Sequence, residues 1–378
     1  MARDLGQPLR IVVKIGSAVI APGGALDPTS VRRLATDVAD VLDADRDRRA
    51  VIVSSGAMAS GFRSLGLARA PKDIVSKQAA AAVGQPRLMS AWAEAFAPRS
   101  VAQVLLTAED IDHRTRFLNA RRTLEALLDA GVTPVINEND SVSFAEIKLG
   151  DNDHLSALVA SLVGADLLVI LSSVAGVWDV AHTKKNSAPV IVPEIGSLAE
   201  GMRHVRTSTT DVGTGGMATK IRAGCMAQAL GIGAVIADGT QPGIIGRILA
   251  GEDVGTHFPP PPAARAGRAA EARKKWIGFS ARPTGTLAVD AGAQKAITQR
   301  GASLLPSGIT GVVGSFRQGA LVELAGPDRV VFARGLASYS SDDLQKIRGR
   351  KSAEIAPILG ACYAEEAIHR DDLMLVKR

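Results

Sequence analysis

The sequence predicts an α/β protein in two parts: a three-layer sandwich on a mostly parallel sheet, then a small C-terminal β-barrel. Up to residue 237, short apolar segments of strand type alternate with longer segments of helical period. Strands that are nearly continuous apolar runs are typical of parallel sheets with helices on both faces. After Phe258 the pattern changes to short apolar runs split by Gly and Pro, which favours a small barrel.

The predicted strands of the first part all end close to polar residues. They cover residues 11–15, 51–53, 101–106, 133–136, 167–171 and 234–237. The predicted helices cover residues 28–42, 73–97, 114–130, 152–164 and 217–230. Strands of the second part are predicted at residues 286–289, 308–314, 320–324 and 330–333. Active sites of parallel sheets lie beyond the carboxyl ends of the strands, so the polar residues there are the candidates for chemistry.

A proline run at residues 259–262 marks the point where the pattern of apolar segments changes. We therefore predict a first domain of residues 1–257, a linker of 258–279, a second domain of 280–363 and a tail of 364–378.

Composition favours a soluble, cytoplasmic protein. Apolar residues make up 46% of the chain and charged residues 22%, which is globular composition. No run approaches the roughly 18 to 20 apolar residues of a membrane helix, and the apolar core of a secretory signal is missing. The two cysteines, Cys225 and Cys362, match no metal-binding spacing. We expect two thiols, no metal site and no membrane association.

The net charge of +6 is concentrated in the second part. Residues 261–378 contain 18 Lys and Arg against 11 Asp and Glu, which gives +7 and leaves −1 for the rest. A basic module can attract polyanions through counterion release, so RNA is a conceivable partner.

Two small clusters follow the first two strands. Lys14 stands inside an apolar strand and is followed by Gly16, which would bring an ammonium and a close backbone to a phosphate at the strand end. The alternative is that Lys14 has no role in binding phosphate, with its aliphatic chain buried and its ammonium group reaching water. The second cluster, residues 54–57, could turn amides and hydroxyls toward an anion, or could be an ordinary strand-to-helix turn.

Two larger clusters are harder to explain by packing. Residues 137–140 read Asn-Glu-Asn-Asp and residues 150–153 read Gly-Asp-Asn-Asp, and helix capping accounts for only one or two of these polar groups. Residues 213–220 form a glycine loop that runs into a helix, with Lys220 as a point charge near the helix amides. The loop is not a Walker A motif, because Lys220 follows Thr219 rather than a glycine.

Together these motifs resemble the amino-acid kinase family. The matching pieces are VVKIGSAV around Lys14, VSSGA around Ser54, PVINENDSVSFAEIKLGDND at residues 134–153 and TGGMATK at residues 214–220. In the tail, GTLAVDAGAQKAI, RGASLLPSGI and HRDD resemble the PUA domain that many bacterial members carry. The resemblance implies the amino-acid kinase fold, followed by a PUA-like barrel.

The resemblance also implies a reaction. Members of this type transfer the γ-phosphoryl group of ATP, with Mg²⁺ carried by the nucleotide, to the side-chain carboxylate of L-glutamate. The product is L-glutamyl 5-phosphate, in the first step of proline biosynthesis. A carboxylate is ionised at pH 7, so no general base is needed and catalysis reduces to alignment and charge neutralisation.

Site residues follow from the same resemblance. Lys14 and Lys220 would flank the phosphates, and Asp153 would orient both lysines. Glutamate would be held by Ser54, Asn137, Asp140 and Asn152. ATP would be bound by Lys14, Gly16, Ser172, Ser173, Thr214, Gly215, Gly216, Met217, Ala218, Thr219 and Lys220.

The sequence departs from the family after the fifth strand. Family members usually have Thr-Asp or Ser-Asp there, whereas this chain has Ser172-Ser173. We expect altered contacts to the base or ribose rather than loss of chemistry.

Alternative functions are an aspartate or N-acetylglutamate kinase, and an RNA-binding or RNA-modifying protein with a vestigial kinase domain. Asp140 favours a free amino acid, because an α-ammonium group needs a carboxylate partner. Intact Lys14, Asp153 and Lys220 disfavour the RNA alternative. Family resemblance further implies a homo-oligomer (dimer or tetramer), feedback inhibition by proline, and cooperation with glutamate-5-semialdehyde dehydrogenase.

Overall fold

The computed structural model describes residues 5, 7–112, 114–143, 151–179, 189–205, 216–260, 283–360 and 364–376. The chain divides into two compact units, Met1–Ile111 with Asn119–Arg265 and Asp112–Leu118 with Ala266–Arg378. The predicted domain boundaries at 257, 279 and 363 stay predictions.

The first unit is built on a seven-stranded sheet. Its strands are β1 (Arg10–Ile15), β2 (Arg49–Ser54), β3 (Val101–Leu106), β4 (Thr133–Glu138), β5 (Leu167–Ser172), β6 (Gly233–Asp238) and β7 (Thr256–Phe258). The strand order is β3-β4-β2-β1-β5-β6-β7, and β7 alone in this sheet pairs antiparallel, with β6. The predicted, mostly parallel α/β sheet is therefore confirmed.

The described helices up to residue 260 alternate with these strands. They are α1 (Ser17–Ile20), α2 (Pro28–Asp43), α3 (Ala57–Gly61), α4 (Ile74–Phe96), α5 (Ala108–Asp112), α6 (Arg114–Asp129), α7 (Asp151–Leu162), α8 (Leu198–Met202), α9 (Met217–Ala229) and α10 (Ile244–Leu249). None of the helices in the described part of the chain is long and apolar enough to span a bilayer.

Side-chain alternation along β1 separates the core from the site. Ile11, Val13 and Ile15 are buried in the core that β1 forms with α2, α4 and α10. Because successive strand side chains point to opposite faces, Val12 and Lys14 face the other layer, where α7 and α9 pack against the sheet and each other. The central strand thus places Lys14 on the face of the sheet that α7 and α9 cover.

Helices α3 and α4 meet at two glycines. A Cβ atom on Gly84 would lie 1.8 Å from the carbonyl oxygen of Ala57, and one on Gly61 would lie 1.9 Å from that of Ala80. The contact therefore requires glycine on both helices. It holds the start of α3, and with it the turn at the end of β2, directly against α4.

The second unit contains a five-stranded sheet. Its strands are β8 (Gly285–Val289), β9 (Ile309–Val313), β10 (Leu321–Ala325), β11 (Val331–Leu336) and β12 (Leu373–Leu375), in the order β12-β11-β10-β8-β9. Its helices include α11 (Ala291–Arg300), α12 (Ser341–Ile347) and α13 (Ile355–Leu359). Only β8 and β10 pair in parallel within this sheet. β12 lies beyond residue 363 and was not predicted as a strand.

Replacing Gly84 with alanine should destabilise the first unit strongly. The new methyl group would overlap a backbone carbonyl that cannot rotate away, so one helix must shift. We expect a loss of about 2–3 kcal/mol and a fall in melting temperature of at least about 5 °C, measured by calorimetry. Gly23→Ala is the matched control, since nothing lies within 4 Å of the added atom. Equal melting temperatures for the two variants would contradict the close helix contact.

Candidate active site

One buried carboxylate joins the two lysines that the sequence singled out. Oδ1 of Asp153 lies 2.6 Å from Nζ of Lys14, and Oδ2 lies 3.3 Å from Nζ of Lys220. The hydroxyl of Thr219 donates to the same Oδ2 at 2.6 Å. Lys14 comes from β1, Asp153 from the first turn of α7, and Lys220 from the first turn of α9. Three distant sequence motifs therefore meet at one carboxylate.

Burial controls the protonation of this group. The side chains of Lys14 and Asp153 are 5% and 1% exposed. Burial lowers the pKa of Lys14, and the Lys220 charge lowers it further, although the Asp153 carboxylate opposes both. For Asp153, burial favours the neutral acid, but the adjacent Lys14 and Lys220 charges outweigh it and hold the pKa below its usual value. The three groups carry a net positive charge that suits an anionic ligand.

The start of α9 adds a second anion-binding feature. Gly216 precedes the helix and provides no side chain to cap it, and a Cβ atom there would meet none of the described residues within 4 Å. Met217 and Ala218 begin the helix, so their amides belong to its first turn. Gly16 lies close to the lysine pair, because a Cβ on it would lie 3.7 Å from Nζ of Lys14. Thr214 and Gly215 of the predicted loop lie outside the described residues.

The two predicted serines after β5 have different environments. Ser172 is buried as the last residue of β5, and its carbonyl accepts the amide of Gly239 at 2.8 Å. Ser173 is exposed at the carboxyl end of the sheet. Ser172 lies opposite Asp238 on β6.

A chain of side-chain amides forms a second polar group at the ends of β2 and β4. Nδ2 of Asn152 donates to Oδ1 of Asn137 and to Oγ of Ser55, both at 3.0 Å. Nδ2 of Asn137 donates to Oε1 of Gln85 at 2.8 Å. The backbone amide of Glu138 donates to Oδ1 of Asn137 at 2.9 Å. Asn152 neighbours Asp153 in sequence, so this group adjoins the lysine pair.

Ser54 and Ser55 point in different directions. Ser54 is fully buried, and its hydroxyl accepts from Nε1 of Trp92 at 3.1 Å and donates to the carbonyl of Ser55. It is Ser55 that reaches Asn152. Strand alternation could have given this result, because Ala50 and Ile52 lie in the core and Ser54 has the same parity. Ser55 and Gln85 are thus the residues that the sequence interpretation did not select.

Asp140 lies two residues beyond β4 and is partly exposed. It belongs to a turn in which the amides of Val142 and Ser143 donate to the carbonyl of Asn139. The structure thus places Asp140 on the accessible rim beside the amide chain.

Comparisons with known proteins identify the family of this chain. The model of the amino acid kinase family matches residues 9–238, and the model of the PUA domain matches residues 285–359. The glutamate 5-kinase of Trichlorobacter lovleyi is 48% identical over 376 residues, which is 98% of each chain. The chain belongs to the amino acid kinase family.

The chain is also similar to a second relative over its full length and, much more weakly, to a solved structure. The glutamate 5-kinase of Syntrophotalea carbinolica is 46% identical over 381 residues, covering 100% of both chains. A carbamate kinase from Giardia lamblia bound to AMP-PNP is 16% identical with a TM-score of 0.47, over 68% of this chain and 100% of that chain. The family models also confirm the predicted fold classes of both parts.

Asp153→Asn should change how kinase turnover depends on pH. The Asp153 charge raises the pKa of Lys14 against the effect of burial, so its loss lowers that pKa further. If Lys14 neutralises phosphate, as the family resemblance implies, it must be protonated, and turnover is then lost as pH rises through this pKa. We expect a fall in kcat of at least about tenfold and an alkaline limb that moves to lower pH.

The control for this measurement is Asp166→Asn. Asp166 accepts the amides of Leu9 and Arg10 at the opposite end of β1, far from the lysine pair. The Asp166→Asn variant should retain the alkaline limb seen in the pH dependence of turnover of the unmodified protein. An unshifted limb in Asp153→Asn would show that Asp153 does not govern Lys14.

Proposed function

We propose that this chain transfers the γ-phosphoryl group of ATP to the γ-carboxylate of L-glutamate. The product is L-glutamyl 5-phosphate, and the reaction is the first step of proline biosynthesis. The observation that carries the proposal is the buried Lys14–Asp153–Lys220 group in a chain whose full length matches glutamate 5-kinases.

The attacking group needs no deprotonation. A glutamate side chain has an ordinary pKa of about 4.3, so it is already a carboxylate at neutral pH. The protein must bring this anion to another anion, the terminal phosphate, and must neutralise the charge that both contribute. Alignment and electrostatic stabilisation are the main sources of rate enhancement in such phosphoryl transfers.

Lys14 and Lys220 supply this neutralisation. Their ammonium groups are fixed before ATP arrives, because both contact Asp153. Preorganised charges of this kind stabilise a transition state without reorganisation during the reaction. The amides at the start of α9, after Gly216, would add hydrogen-bond donors for the phosphates. Thr219 holds Asp153 in place from the same helix turn.

Magnesium enters with the nucleotide in this proposal. Both carboxylate oxygens of Asp153 contact lysines, so this carboxylate serves as their counter-charge. Mg²⁺ would bridge phosphate oxygens and neutralise charge there, as part of the MgATP substrate.

The amide chain would hold glutamate. Ser55, Asn137 and Asn152 present hydroxyl and amide groups at the ends of β2 and β4, next to the lysines. Asp140 on the accessible rim would pair with the α-ammonium group, which an N-acetylated substrate lacks. On the nucleotide side, Ser172 and Ser173 would meet the base or ribose with weaker contacts than an acidic residue provides.

The biological setting is also part of the proposal. The enzyme would work in the cytoplasm as a homo-oligomer, with proline as a feedback inhibitor at the glutamate site. Acyl phosphates hydrolyse readily, which favours direct use of the product by glutamate-5-semialdehyde dehydrogenase. The second unit would serve assembly or regulation rather than RNA binding.

Trapping the product with hydroxylamine tests the substrate. We expect ATP-dependent hydroxamate with L-glutamate and only background with aspartate or N-acetylglutamate. Lys220→Met should reduce the glutamate signal to background while the chain remains folded, as checked by circular dichroism. A stronger signal with either other acid would replace glutamate as the substrate, and no signal with any acid would exclude the proposed reaction.

Alanine at Ser55 and at Ser54 separates the two serines. Ser55→Ala removes the hydroxyl that accepts from Asn152 and should raise the KM for glutamate about five- to tenfold, with the KM for ATP unchanged. Ser54→Ala removes the acceptor of the buried Trp92 and should lower the melting temperature instead. A larger effect on the KM for glutamate in Ser54→Ala would reverse this assignment.

A further inference from the structure

Helix α4 carries three polar side chains that all contact the glutamate side of the candidate site. Gln78, Gln85 and Trp92 are spaced by seven residues, which is about two helical turns, so they lie on one face. We call these three residues the α4 stripe. None of them belongs to a motif by which the sequence resembles the family, and none follows a strand.

Each member of the stripe bonds to a different part of the site. Nε2 of Gln78 donates to the carbonyl of Ser143, in the turn that contains Asp140, at 3.1 Å. Oε1 of Gln85 accepts from Asn137 at 2.8 Å. Nε1 of Trp92 donates to Ser54, whose hydroxyl in turn donates to the carbonyl of Ser55.

The bond from Gln85 helps to orient two amides. Because a carbonyl oxygen of Gln85 faces Asn137, the NH₂ group of Asn137 turns toward α4 and its oxygen turns toward Asn152. The backbone amide of Glu138 donates to the same oxygen of Asn137 and favours the same orientation. Asn152 presents its own NH₂ group to that oxygen, and the same NH₂ group also donates to Ser55. The acceptor on α4 and the backbone of β4 therefore favour one arrangement of the amide chain.

The stripe is held rigidly against the site. Gln85 and Trp92 are buried, at 8% and 0% exposure. Gly84, next to Gln85, forms the close contact with α3 described above, so α4 cannot slide relative to the turn after β2. The backbone of α4 is fixed in this way, and Gln85 can orient Asn137 without contacting a ligand itself.

We propose that the α4 stripe positions the glutamate-binding side chains, and that Gln85 is a positioning residue that acts through Asn137. The inference rests on the proposed function, because it assigns the amide chain to glutamate. It goes beyond that function by placing control of the KM for glutamate on a helix outside the motifs.

Two variants test the stripe. Gln85→Met keeps the shape of the side chain but leaves the buried Nδ2 of Asn137 without its acceptor, and should raise the KM for glutamate about tenfold. Gln78→Met changes a half-buried residue near the start of α4, where we expect little effect on folding. This variant should raise the KM for glutamate about threefold. The KM for ATP should stay within about twofold in both variants.

A double-mutant cycle distinguishes positioning from simple loss of stability. If Gln85 acts through Asn137, then Gln85→Met added to Asn137→Ala should raise the KM for glutamate no further than Asn137→Ala alone. Independent, multiplying effects would show that Gln85 does not act through Asn137. An unchanged KM for glutamate in both Gln85→Met and Gln78→Met would overturn the proposal.

The matched control is Gln228→Met. Gln228 is also a buried glutamine, but its side chain donates to the backbone carbonyls of Ile195 and Pro259. It should lower the melting temperature without changing the KM for glutamate. All variants are compared with the unmodified chain in the hydroxamate assay. Absence of glutamate turnover in the unmodified chain would refute the proposed function, whereas normal turnover with unaffected stripe variants would refute only the stripe.

Discussion

The site depends on a buried ammonium group that needs a counter-charge. Lys14 sits in the central strand of the sheet, where an isolated charge would cost several kcal/mol to bury. Asp153 offsets that cost, but α7 must then start at the carboxyl end of β1 to bring its first turn within reach. Lys220 and Thr219 bind the same carboxylate, which also fixes the start of α9. The positions of two helices and one strand thus follow from a single carboxylate and its partners.

Apolar periodicity predicts the regular elements of the first unit well, because its strands and long helices are defined by burial. The strand β1 was predicted at residues 11–15 and is observed at Arg10–Ile15, and α4 was predicted at 73–97 and is observed at Ile74–Phe96. Short elements were missed. β12 is a three-residue strand stabilised by pairing with β11, which is distant in sequence, so no local pattern indicates it.

Side-chain roles were predictable only where a motif fixes both residue type and geometry. The Lys14–Asp153–Lys220 group was predicted from the ordered motifs that resemble the amino-acid kinase family, because Lys14 taken alone could equally be a structural lysine whose ammonium reaches water. Ser54 was chosen over Ser55 because the motif contains both, and only the direction of the side chain separates them. The sequence did not indicate a role for Gln85. A single glutamine in a largely apolar helix belongs to no recognisable pattern unless its partner Asn137 is known.

The glycine contact between α3 and α4 has a consequence for how this protein can vary. Gly84 and Gln85 are adjacent, so one residue sets the distance between two helices and the next helps to orient an amide chain. A change in the helix crossing would carry Gln85 away from Asn137, and a bulkier residue at either position would disturb both features. The turn at residues 139–143, which accepts a side-chain hydrogen bond from Gln78, can therefore vary more readily than the helix itself.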